Sequence, residues 1–215
     1  MKLGIKIVCT AGGLQDLGAY NDTNVINYYA CDLRSYVRRV FPTRIELKEN
    51  GHNPLGSFDE SSKIIYLLQF IGNQGYVMAV IKARPEITGR TFDNIAAWIH
   101  FPNNIDISNM ETLSLLNELS QIISDPYDID KGRLSALASK DYSTNDAYTT
   151  LLDSHGENLA VIEYGVNTKY SLLDILGPSI RHPKFANYQA IFLIDKSLNI
   201  ELWSNVEVLR NLSVK

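Results

Sequence analysis

The stretch KIIYLLQFIGNQGYVMAVIKA, Lys63 to Ala83, decides the fold. In its first half the odd positions Ile65, Leu67 and Ile71 are apolar, and so are the even positions Ile64, Tyr66, Leu68 and Phe70. A strand that is apolar on both sides is covered on both faces and belongs in the middle of its sheet. Gly72-Asn73-Gln74-Gly75 supplies the glycines a tight reversal requires, and Tyr76 to Ala83 repeats the two-sided pattern, so the stretch reads as a central hairpin. After the breaker Arg84-Pro85, a third strand is expected from Phe92 to Phe101, with Ile95, Trp98 and Ile99 as its apolar residues and Pro102 as its stop.

A helix closes this unit. Ser108 followed by Glu111 fits a capping box just ahead of a periodic apolar run. Met110, Leu113, Leu116, Leu119 and Ile123 recur at three- and four-residue steps, which predicts one apolar face laid against the sheet.

Upstream, Leu3 to Thr10 reads as a half-buried strand, Ala11 to Asn24 as a glycine-bearing loop, and Ile26, Ala30, Leu33, Val37 and Val40 as the stripe of a helix. That helix has Asp22 or Thr23 as its cap and Pro42 beyond its end. Arg44 to Lys48 alternates as a short strand, and Asn50 to Ser62 is a 13-residue polar loop containing His52, Asp59 and Glu60. Downstream of Ser124-Asp125-Pro126 the periodicity weakens. A helix is expected at Asp146 to Asp153, a strand at Asn158 to Gly165, a short helix at Tyr170 to Leu176, and a second hairpin joining Tyr188–Ile194 to Asn199–Trp203. The expected architecture is α+β: a mostly antiparallel central sheet with two amphipathic helices on it, in a unit spanning 1–126. A smaller mixed α/β continuation follows over 127–215, either as a second domain or as part of the first.

Composition narrows the function. The 215 residues are 45% hydrophobic and 20% charged, as in an ordinary globular protein. A net charge of -4 without clustered Lys and Arg argues against a nucleic-acid surface, and Arg38-Arg39 suits the last turn of the first helix. No apolar run reaches 18 residues, the N-terminal run is too short for a signal segment, and two cysteines make no disulfide framework. These features point to a cytoplasmic protein without a membrane partner.

Few residues suggest chemistry. Gly12, Gly13 and Gly18 lie between a strand and a helix, in the frame of a phosphate-binding loop. The Lys and Ser or Thr that such a loop needs are replaced by Ala19 and Tyr20, and Asp16 and Asp22 would repel a phosphate. His52, His100, His155 and His182 lack the spacing of a zinc site, so no metal and no cofactor is expected. Cys9 and His100 each end a strand, which leaves a nucleophile and base pair as one option. Glu163 interrupts the apolar run Leu159 to Ile162 and needs either a partner or an exposed strand face. Tyr20, Tyr28, Tyr29 and Tyr36 gather near the first helix, where amphipathic aromatics serve interfaces. Three functions follow in order: a non-catalytic protein-interaction module, as an accessory subunit or terminal domain of a larger protein; a small-molecule or nucleotide sensor using the 11–24 loop; and a cysteine hydrolase built on Cys9 and His100.

Overall fold

The computed structural model describes residues 1–9, 15–30, 64–84, 93–124, 129–147, 156, 158–165, 171–176, 183–195 and 206–209, and among these described residues there are ten strands and four α-helices. In chain order the elements begin with β1 (Gly4–Cys9), β2 (Gln15–Tyr20), α1 (Asn24–Ala30), β3 (Ile64–Phe70), β4 (Tyr76–Arg84), β5 (Asp93–Phe101) and β6 (Ile105–Asp106). There follow α2 (Asn109–Ile122), α3 (Lys131–Ser139), β7 (Ser143–Thr144), β8 (Leu159–Tyr164), α4 (Leu172–Leu176), β9 (Ala190–Asp195) and β10 (Val206–Val208). Eight strands form one sheet in the order β10-β8-β9-β3-β4-β5-β1-β2, while β6 and β7 pair separately. Among the described strands, only the β10–β8 and β8–β9 pairs are parallel. Strands from both sides of the 126/127 junction therefore share one sheet.

The hairpin is as its sequence predicts. β3 pairs with β4 from Ile64–Lys82 to Phe70–Tyr76, and β9 takes the other side of β3, so β3 lies inside the sheet. Its turn is a single 3-10 turn at Gly72–Gln74. Gly75 follows with φ of 104°, in the region that favours glycine, and a Cβ there would run into the Phe101 carbonyl.

Burial divides along the two faces of the sheet. Face one carries Ile5, Ile7, Tyr66, Leu68, Met78, Val80, Ala97, Ile99, Ile162 and Leu193, packed with residues of α2, α3 and α4. Face two carries Val8, Leu67, Ala79, Ile81, Trp98, Val161 and Phe192, with Ile26 and Ala30 of α1. Both halves of the capping box form at α2: Ser108 Oγ accepts from the Glu111 amide at 3.2 Å, and the Ser108 amide donates to the Glu111 carboxylate at 3.1 Å. Leu115, Leu116, Leu119, Ile122 and Ile123 are buried. At roughly 1.5–3 kcal/mol each they contribute on the order of 10 kcal/mol, against about 1 kcal/mol for the cap.

Several expectations need correction. The buried face of α2 is rotated from the predicted one, leaving Met110 63% exposed and Leu113 half-buried, because Leu115 and Ile122 take the central positions. β1 is covered on both faces apart from Lys6, since Ile5 and Ile7 lie in the core of one face and Val8 in that of the other, with Ile26 and Ala30 of α1. Residues 15–20 are not loop but an edge strand. Asp16 and Gly18 hide it from a propensity reading, and Lys6 of β1 fixes it by pairing with Asp16 at 2.7 Å. α3 was not anticipated either; its Arg133 binds Glu118 of α2 through Nε and Nη2, at 2.9 and 2.7 Å. Among the described residues β9 pairs with β3 on one side and β8 on the other, and β10 runs parallel to β8. The expected strand at 44–48, the polar loop at 50–62, the helix at 146–153 beyond position 147, and the segment 199–203 lie outside the described residues.

Gly75→Ala is expected to destabilise the protein by about 1–3 kcal/mol or more, from positive-φ strain together with the clash against β5. Urea denaturation monitored by tryptophan fluorescence checks this, and an unchanged midpoint would show that the turn tolerates a side chain.

Candidate functional site

Cross-strand register decides which polar residues meet. Tyr164 pairs with Asp195, Ile64 with Lys82, Lys82 with Ile95, Ile95 with Cys9, and Cys9 with Gln15. Ile64 stands one residue before the Ile65–Ile194 pair, beside Asp195. Side chains paired across strands point to the same face. One row on face one, at one edge of the sheet, thus carries a phenol, a carboxylate, an ammonium and a thiol. The carboxyl ends of β1, β4, β8 and β9 converge there.

Tyr66 lies one row further in, 3% exposed, with its ring centroid 6.2 Å from that of Tyr164 and the planes tilted by 46°. Burial pushes the Tyr66 phenol up to about 12. The Tyr164 phenol is raised further, by burial first and then by Tyr66 and Asp195. Both phenols stay protonated at neutral pH. Lys82 is 8% exposed, whereas Glu163, Tyr164, Gly165, Asp195 and Ile64 form a half-exposed rim.

A second polar group occupies face two at the other flank of the sheet. The Lys6 ammonium, on a side chain 15% exposed, donates to Asn27 Oδ1 of α1 at 2.7 Å and pairs with Asp16 of β2. Asp16 also accepts from the Gly18 amide, across a bulge that leaves Leu17 without a partner in the β1–β2 register. This cluster ties together β1, β2 and α1, the last two being the elements at the margin of the sheet.

The residues singled out in the sequence are dispersed. Cys9 is 3% exposed and opposite Ile95, whereas His100 is opposite Gly4. Five residues separate the two positions along the ladder, about 17 Å, so the structure does not bring the proposed nucleophile and base together. His100 Nε2 instead donates to the Gln74 carbonyl at 2.7 Å, at the hairpin turn. Gly18 lies within β2; Gly12 and Gly13 are outside the described residues. Tyr20 pairs with Ile5 and packs on face one, while α1, which carries Tyr28 and Tyr29, lies on face two; Tyr36 is outside the described residues. Glu163 is half-exposed at the end of β8. Among the described residues no three His, Cys, Asp or Glu side chains gather as metal ligands, and no helix is long and apolar enough to cross a membrane. Sequence reasoning missed Lys82, Tyr66, Tyr164 and Asp195. Lys82 was detectable by the criterion that drew attention to Glu163, a charge interrupting an apolar strand.

No family model matches the chain, and no curated protein does. A solved structure resembles it weakly. The crystal structure of PA0076 from Pseudomonas aeruginosa PAO1 is 16% identical, with a TM-score of 0.40, and the match covers 66% of this chain and 64% of that one.

Two measurements probe this geometry. Burial lowers the His100 pKa in the fold, outweighing the Gln74 hydrogen bond and the Asp22 charge, so the unfolded chain takes up the proton more readily. The stabilisation is complete above the unfolded value of about 6.5 and is lost as pH falls below it. Urea midpoints between pH 7.5 and 5.5 are expected to fall less steeply in His100→Gln than in the wild type; equal slopes would remove this role. In a Cys31→Ser background, native Cys9 is expected to label with iodoacetamide far more slowly than in urea, and fast native labelling would contradict its burial.

Proposed function

We propose that the protein is a non-catalytic intracellular interaction module whose contact surface is the outer edge of β2 together with α1. What supports this is the position of β2: it ends the eight-stranded sheet, and its outward side has no strand partner among the described residues. An edge strand offers a row of amides and carbonyls to an extended segment, and main-chain pairing of that kind gives affinity without any catalytic group. β2 is mostly exposed or half-exposed, with Tyr20 half-buried at its end, and α1 adjoins it through the Lys6, Asp16 and Asn27 cluster. Tyr28 and Tyr29 on α1, with Tyr36 beyond it in sequence, supply amphipathic aromatics of the type enriched at interfaces. The partner is another protein or a neighbouring domain of a larger chain.

Ala19→Pro removes one amide from the edge strand, and Tyr28→Ala with Tyr36→Ala removes two aromatics. Partners captured by the wild-type chain from native cytosol and identified by mass spectrometry are expected to be lost with either variant, while circular dichroism confirms that the fold is kept. Retention of the same partners by both folded variants would dismiss this surface.

A further inference from the structure

Among the described residues the sheet ends in β10 on one side and β2 on the other. β10 is three residues long and β2 six, so β2 is the margin along which a further strand has room to add. It is not a regular edge. Its register against β1 slips between Ile7 and Val8: Gly18 stands opposite Ile7 and Asp16 opposite Val8, which leaves Leu17 as the extra residue of a bulge. Asp16 spans that bulge. Its Oδ1 accepts from the Gly18 amide at 3.1 Å, and its Oδ2 pairs with the Lys6 ammonium at 2.7 Å. Lys6 in turn donates to Asn27 Oδ1 at 2.7 Å, so the carboxylate is tied through one lysine to both β1 and α1.

The consequence of these contacts rests on the β2 edge being the contact surface proposed above. Two copies adding edge to edge about a two-fold axis would place both bulges in one ladder, at most six residues long on each side. A bulge interrupts the regular ladder, which leaves only Gly18 to Tyr20 beyond it. Both Asp16 carboxylates would also enter that ladder, on the same face of the joined sheet, where like charges repel. Each Asp16 side chain is 51% exposed, and covering it would strip water from an ion pair whose Lys6 side chain is already only 15% exposed. An extended segment of a different protein, paired along Gly18 to Tyr20 and held as well by α1, brings no second bulge and no second Asp16. We propose that the Lys6–Asp16–Gly18 contact is a latch that keeps the β2 edge from pairing with a second copy of this chain and reserves it for a partner that also rests on α1.

Sedimentation velocity of the full chain over a concentration series tests this, together with hydrogen exchange read by mass spectrometry on peptides covering residues 15–20. Asp16→Ala removes both carboxylate contacts. That variant is expected to self-associate at least about tenfold more tightly than the wild type, with exchange at 15–20 slowing as concentration rises. In the wild type, exchange at 15–20 is expected to be indifferent to concentration. Asp16→Asn, which keeps the shape and loses the charge, is expected to fall between the two. Thermal melts establish that each variant is folded; should Asp16→Ala not fold, Asp16→Asn carries the test. Unchanged association in the folded variants, tighter association without slower exchange at 15–20, or concentration-dependent protection of 15–20 in the wild type would each overturn the latch. Partner capture by the wild type and its loss in Ala19→Pro are read separately, so failure of the latch and failure of the surface are told apart.

Discussion

A strand that is apolar on both sides must be covered on both sides, and the four inner strands β9, β3, β4 and β5 impose that requirement on everything around them. Ile65, Leu67, Val77, Ala79 and Ile81 face one way while Tyr66, Leu68, Met78 and Val80 face the other, and all are buried. The sheet alone cannot satisfy both sets. α2, α3 and α4 cover face one, and α1 contributes to face two, so helices from the beginning and the later part of the chain are recruited to one sheet. The cost shows at Trp98, whose Nε1 is fully buried without a hydrogen-bond partner among the described residues. An unmet donor of that kind costs about 1–3 kcal/mol, less than the transfer gain of burying so large a ring in a closed layer.

The sequence was legible where one force dominated locally. In the central hairpin, two-sided apolarity and the glycines at 72 and 75 agree with each other. At α2, the Ser108–Glu111 box fixes the first turn whatever the rest of the helix does. The face of α2 was legible only in part. A stripe drawn through Met110 and Leu113 satisfies helical periodicity as well as one through Leu115 and Ile122, and the position of the neighbouring helices decides between them. β2 and α3 were illegible for a related reason. The segment QDLGAY has weak strand propensity and KGRLSALAS has few large apolar residues, so each is held by contacts distant in sequence: the β1 ladder with Lys6 for β2, and the burial of Leu134 and Ala138, with Arg133 bound to Glu118 and Gln121, for α3. Pairing partners of this sort leave no local trace.

The same distinction separates the site residues. Cys9 and His100 attracted attention as strand ends, but the antiparallel pairing of β1 with β5 sends those ends to opposite edges of the sheet. Tyr164, Asp195 and Lys82 lie more than a hundred residues apart at the extremes, and only the joint register of β8, β9, β3 and β4 aligns them. Reading such a row requires the topology first.

β9 is what makes the two edges of this sheet different. It runs antiparallel to β3 and parallel to β8, so the carboxyl ends of β8, β9, β4 and β1 all fall on one side. The opposite edge is closed by apolar and aromatic contacts. There the hairpin turn packs back through Gly75 on Phe101, Tyr76 stacks on Phe101 at 4.8 Å between centroids, and His100 binds the Gln74 carbonyl. At the carboxyl edge the side chains are longer, ionised or phenolic, and half-exposed toward its β8 and β9 end, so desolvation there is incomplete. The difference between the edges therefore follows from strand direction, and strand direction from the single mixed strand at the junction of the parallel and antiparallel halves.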